Sequence, residues 1–175
     1  MERLTKPQIL RALEVLASAL PDGPRTELWV VGGAALVLLY EARETTRDVD
    51  AFTLEAGDSG DLRAAAGSVA AQLELPPDWL NDGVKGYVQG FAPGEVLMSG
   101  PRLVVRTLAA HQLLAMKLSA WRDDLDVADA RLLLSRISGD RASVWGQVEP
   151  HLVPGRELKA QYAFEDLWEA DRGPA

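Results

Sequence analysis

The stretch LWVVGGAALVLLYEARETTRDVDAF, residues 28–52, decides the reading of this chain. Leu28 to Val31 is a short apolar run rich in strand formers, and it stops at Gly32-Gly33. Ala34 to Ala42 reads as a buried helix and Val49 to Leu54 as a second strand. Asp48 and Asp50 stand two apart where that strand begins, about 15 residues after the glycines. On a strand, residues i and i+2 point to one face, roughly 6.6 Å apart along the chain. Two carboxylates presented that way reach toward a shared cation, and oxygen ligands suit Mg²⁺. With such an ion they would orient a triphosphate and activate an attacking hydroxyl. The glycines remove side-chain bulk, so phosphate oxygens can approach backbone N–H groups at a helix N-terminus. Each piece also has an ordinary reading, the Gly-Gly as a tight turn and the Asp-x-Asp as a surface pair. Their combination, bracketed by apolar segments, points to a site.

Upstream, Thr5 and Gln8 have the capping-box pattern and Pro7 fits a first helical turn. Ile9, Leu13, Leu16 and Leu20 then recur at helical spacing, ending at Pro21-Asp22-Gly23-Pro24. Downstream, Asp58 to Gly60 starts a helix whose face is Leu62, Ala66, Val69 and Leu73, closed by Pro76-Pro77. Strands are expected near Tyr87, at Val96 to Met98 and at Leu103 to Arg106. Thr107 is expected to cap a long helix through Trp121, and Asp126 to begin another with Val127, Ala130, Leu134 and Ile137 on its apolar face. Two helices split by Val153-Pro154-Gly155 follow Gly139. This order predicts an α/β (α+β) domain, a small mixed sheet flanked by helices with a helical C-terminal part. Residues 1–107 form the expected core and 108–175 a helical part packed on it, in one compact unit.

The 175 residues are 47% hydrophobic and 25% charged, enough to bury a core without disulfides or a structural metal. No cysteine is present, which excludes disulfides, thiol catalysis and cysteine-ligated zinc. Only His111 and His151 offer imidazole, so a multi-histidine metal site is not expected. The net charge of −8 disfavours nonspecific binding to nucleic acid, and no Lys/Arg cluster advertises a DNA-binding face. No basic N-terminal segment precedes an apolar run. The longest apolar run, Leu28 to Tyr40, is interrupted by the two glycines and is too short to span a bilayer. A cytoplasmic protein without a membrane partner is the expectation.

The segment from Val30 to Phe52 resembles the signature of the polymerase-β-type nucleotidyltransferase superfamily: Gly-Gly or Gly-Ser, a helix, then two aspartates around one apolar residue. Within it, the chain resembles small bacterial nucleotidyltransferase-like proteins allied to abortive-infection and type IV toxin–antitoxin toxins. WLNDGVKGY (79–87), LLAMKLSAWRDDLDVADARLLL (113–134) and VPGRELKAQYAFEDLW (153–168) carry that closer likeness. The resemblance implies a nucleotidyltransferase fold and Mg²⁺-dependent transfer of an NMP from an NTP to an RNA, such as a tRNA end, or to a protein. It implies Gly32 and Gly33 lining the triphosphate loop, Asp48 and Asp50 as catalytic metal ligands, and Lys117 reaching the phosphates. Arg122, Asp126 and Asp129 fall on charged motif positions. Arg43 and Arg47 flank the carboxylate strand, where either would contact triphosphate oxygens or simply balance local acids. A cognate antitoxin is the implied partner.

Other readings stand beside these. Lys117 reads equally as a lysine whose stem lies on an apolar helix face. Asp126 and Asp129 read as first-turn acids, or as partners of Arg122 or Lys117. Asn81-Asp82-Gly83 reads as a turn. Many superfamily members take a third carboxylate from a later strand, yet Leu103 to Arg106 offers none. Asp82 or Asp126 would have to be recruited, or the site works with two. The same gap favours a nucleotidyltransferase-fold binding module without turnover. An antibiotic nucleotidyltransferase is a further reading, since an acidic surface suits cationic drugs.

Overall fold

Thr5 closes a two-residue strand, β1 (Leu4–Thr5), and opens the first helix, α1 (Lys6–Ala19). Its backbone N–H donates to Gln8 Oε1 at 2.9 Å, the contact the capping pattern calls for. Ile9, Leu13 and Leu16 are buried along one face of α1. Strand β2 (Thr26–Val30) leads to the glycines. Helix α2 (Gly32–Ala35) follows and continues as a π-helical turn over Leu36–Tyr40. The computed structural model describes residues 3–40, 43–54 and 59–173. Ala42 and Asp58, expected at helix boundaries, lie outside them.

Strand β3 (Thr45–Thr46) pairs antiparallel with β1, and β4 (Val49–Phe52) antiparallel with β2. Helix α3 (Ser59–Leu73) leads to β5 (Leu80–Asn81), β6 (Pro93–Ser99) and β7 (Leu103–Leu108). The five-stranded sheet runs β5-β4-β2-β7-β6. It is mixed: β2 is parallel to β7, and β4 is parallel to β5. Helices α4 (Ala110–Ala120), α5 (Asp124–Ser135), α6 (Arg141–Val148) and α7 (Glu157–Arg172) follow. The fold is mixed α/β, as the sequence predicts. Among the described residues, no helix is long and apolar enough to cross a membrane.

Local readings need correction in four places. Tyr87 ends a 3-10 turn, Lys85–Tyr87, and is not in a strand. Thr107 lies inside β7, paired with Val30, so it caps nothing; Ala109 is the N-cap of α4. Trp121 is not helical but caps α4 in the left-handed region at φ 37. Asp126 sits in the first turn of α5, which starts at Asp124 behind the cap residue Asp123, whose carboxylate accepts from the Asp126 N–H at 3.0 Å.

By contacts the chain divides into two compact units, Met1–Gly83 with Glu95–Thr107, and Val84–Gly94 with Leu108–Ala175. The sequence assigns 84–94 to the core; the structure gives it to the helical unit, and Gln112 on α4 supplies the physical reason. Its buried amide donates to the carbonyls of Gln89 and Gly90 and accepts the N–H of Ala92 at 2.7 Å. His151 Nδ1 donates to the same Gln89 carbonyl at 2.8 Å.

In the first unit Leu28, Val30, Val49, Leu103 and Val105 are buried sheet residues. Trp79 is wholly buried beside them, its indole N–H donating to the Ala66 carbonyl of α3 at 3.0 Å. In the second unit Leu114, Leu118, Leu133, Val144, Phe164 and Leu167 form the core. Trp79→Phe deletes a buried hydrogen bond and part of a ring system. We expect a loss of about 1–3 kcal/mol in urea unfolding, from one net hydrogen bond plus a small void.

Candidate functional site

The glycines fill a place no other residue type fits. Val31 N–H donates to the Asp50 carbonyl at 2.9 Å, which carries the β2–β4 pairing to the mouth of the turn. Gly32 then takes φ +61, a left-handed conformation that costs L-residues with side chains. A Cβ on Gly32 would stand 2.9 Å from Asp50 Oδ2. On Gly33 it would stand 2.5 Å from Thr46 Oγ1 and 3.3 Å from Arg43 Nη1. The elbow is therefore bare so that the Asp50 carboxylate, the Thr46 hydroxyl and the Arg43 guanidinium can close on its backbone. Arg47, the other arginine of the stretch, is exposed.

Asp48 immediately precedes β4 and Asp50 lies within it. Val49 and Ala51 are buried while Asp48 and Asp50 are half-buried, so the alternation puts the two carboxylates on one face. Across the parallel ladder, Asp50 has Asn81 as its register partner. The Asn81 amide donates to Asp48 Oδ2 at 3.2 Å, and its own oxygen accepts the Gly83 N–H at 3.0 Å. Asn81, which the sequence offers only as part of a turn, is thus the residue of that turn that reaches Asp48. Its strand is two residues long, too short for any periodicity to show, and its partner is 33 positions away.

Two carboxylates on one face, beside a glycine that leaves Asp50 room, fit a hard divalent cation. Among the described residues no group of three or more His, Asp or Glu is placed to hold a metal ion. The later strand, β7, presents Arg106 instead of a carboxylate, and Glu27 on β2 holds its Nε at 2.6 Å. A cavity of about 380 Å³ lined by Thr26, Glu27, Thr53 and Arg102 lies at the other ends of β2 and β4, and neither aspartate lines it.

The remaining predicted residues belong to the second unit. Lys117 is nearly buried on α4, and its ammonium is held by Asp126 Oδ1 at 2.9 Å and Asp129 Oδ2 at 2.8 Å. The other oxygen of Asp126 accepts from the Arg122 backbone N–H at 3.0 Å and from its Nε at 3.1 Å. Burial alone would raise the Asp126 pKa, but the hydrogen bonds from Arg122 and Lys117 overcome it and bring it down to about 2. The same contact raises the Arg122 pKa. Asp126 and Asp129 are therefore buried partners of Lys117, and Asp126 is occupied on both oxygens. Arg122 alone in this group has a largely exposed side chain.

Gly32→Ala should cost about 1–3 kcal/mol in denaturant unfolding, from the left-handed backbone and the push against Asp50. Asp126→Asn removes an anion from beside two cations and should cost about 3–5 kcal/mol. Because the Asp126 pKa is depressed on folding, its contribution is present above the ordinary carboxylate range and is lost as pH falls from near 4 toward 2. The variant should therefore show a flatter loss of stability over that interval, read from thermal unfolding at a series of pH values.

One family model matches this chain over residues 8–141, more than half its length, and it describes a nucleotidyltransferase of unknown function (DUF6036). No curated protein and no solved structure matches. With the bare elbow and paired aspartates inside the matched span, the chain belongs to that nucleotidyltransferase family.

Proposed function

We propose that this protein transfers a nucleoside monophosphate from an NTP to an acceptor hydroxyl, with Mg²⁺ held by Asp48 and Asp50. The observation that carries the reading is the Asp50 carboxylate seated against Gly32, with Asp48 beside it and tethered by Asn81. That arrangement keeps two anionic oxygens at fixed positions next to a backbone turn with no side chain. The ion, when held there, would neutralise phosphate charge and lower the pKa of a bound hydroxyl. Gly32 and Gly33 add no side chain of their own to the turn, and the Arg43 guanidinium beside Gly33 would offer positive charge to phosphate oxygens. The acceptor oxygen forms a bond to the α-phosphorus as the bond to pyrophosphate breaks. Its proton passes to a nearby carboxylate or to solvent. Positioning and charge neutralisation carry most of such a reaction.

Lys117 enters this scheme differently from a free phosphate-binding lysine. Two buried carboxylates already compensate it, so its role here is to hold α4 and α5 together and to orient Arg122 through Asp126. Arg122 keeps a largely exposed side chain. The acceptor is an RNA end or a protein side chain, and the biological role that of a toxin restrained by a cognate antitoxin. These follow from the likeness in the motifs at 79–87, 113–134 and 153–168.

A second reading, a binding module without turnover, is favoured by two observations. Among the described residues no third carboxylate joins Asp48 and Asp50, and the lysine is already neutralised. Incubation with labelled NTPs, Mg²⁺ and total RNA or lysate separates the two. Label transfer that falls at least a hundredfold in Asp48→Asn and Asp50→Asn is expected, with a nucleotide-induced rise in Tm. A thermal shift without transfer would support the binding module. Neither signal would remove both readings.

A further inference from the structure

The sheet edge beside β4 supplies one further polar residue to this face. Asn81 is the register partner of Asp50, and its amide lies against Asp48. Asp48, Asp50 and Asn81 therefore share one face of neighbouring strands. The Asn81 amide is fixed at both ends. Its nitrogen donates to Asp48 Oδ2, and its oxygen is satisfied by the Gly83 N–H. The Gly83 contact fixes which end of the amide faces Asp48, because only a carboxamide oxygen can accept that N–H. The turn Asn81-Asp82-Gly83 thus clamps one oxygen of Asp48 and restricts rotation of the carboxylate.

We propose that Asn81 is a positioning residue for the cation site, holding Asp48 in place from the neighbouring edge strand. The inference rests on the metal-site reading above and adds to it the residue that orients one of its two carboxylates. An untethered carboxylate has rotamer freedom that ion binding must remove, and the contact from Asn81 removes it for Asp48 beforehand. Partners that orient a ligand without touching the ion commonly contribute ten- to a hundredfold in metal affinity.

Titration of the full chain with Mn²⁺, followed by electron paramagnetic resonance without nucleotide, tests this. Wild type should bind one ion per chain, and Asp50→Asn should abolish binding. Asn81→Ala should weaken Mn²⁺ about tenfold or more. Its urea midpoint should stay near wild type, since Asn81 is only half-buried. In label transfer, Asn81→Ala should raise the Mg²⁺ concentration needed for half-maximal rate while leaving kcat at saturating Mg²⁺ within a few-fold. Asp78→Ala, removing an exposed acid three residues upstream, should leave Mn²⁺ affinity within twofold. If wild type binds no Mn²⁺, the metal-site reading itself fails. If wild type binds but Asn81→Ala binds equally well, or Asp78→Ala weakens it as much, the role given to Asn81 is wrong and the aspartate site stands.

Discussion

The approach of the Asp50 carboxylate to the backbone of Gly32 is the constraint around which the first unit is arranged. Strand β4 must run antiparallel to β2 and in a fixed register for Asp50 to arrive there, and the Trp29–Phe52 and Val30–Ala51 pairs hold that register. A slip of one residue would turn both aspartates to the buried side. Val49 and Ala51 prevent it, because they fill the core only in the observed register. The placing of the two carboxylates and the packing of the core are thus specified by the same alternation. A substitution at Val49 would reach the carboxylates through the strand, without touching them.

The second unit uses charge where the first uses steric exclusion. Lys117, Asp126 and Asp129 are buried together, and withdrawing the Lys117 ammonium would leave two carboxylates side by side in a low-dielectric interior. Such a cluster is weak grounds for net stability but strong grounds for a defined helix pairing, because the ammonium sits within 3 Å of both carboxylates in only one alignment of α4 and α5. The cations farther along obey related physics. Arg156 Nη1 and Lys159 Nζ donate to the Ser119 and Ala120 carbonyls at the end of α4, where a helix presents unpaired acceptors and a negative dipole end. Arg172 does the same for the Leu134 carbonyl at the end of α5.

Much of this was legible in the sequence wherever the signal was local. The α1 cap is written in Thr5 and Gln8, and the elbow in the glycines between an apolar strand and an apolar helix. The aspartate pair is written in its spacing. Readings failed where a distant partner overrode local preference. Thr107 has a good N-cap side chain, but β2 extends the ladder to it and makes it a strand residue. Tyr87 has strand propensity, yet Gln112 holds the neighbouring segment on α4 and the residue ends a 3-10 turn. Asn81 carries no signal at all until β5 is laid beside β4. Lys117 announced a charged site, but only the arrival of Asp126 and Asp129 from the next helix shows that its charge is spent internally.

The path of the backbone between the units has its own meaning. The chain leaves the first unit after Gly83, re-enters it at Glu95, and leaves again after Thr107. No single cut separates the two units as intact modules. A fragment beginning at 108 would keep Gln112 but lose residues 89, 90 and 92, stranding a buried amide with three polar contacts unmade. A cassette of the C-terminal helices alone is therefore not a self-contained unit, because its packing takes in residues from the middle of the chain.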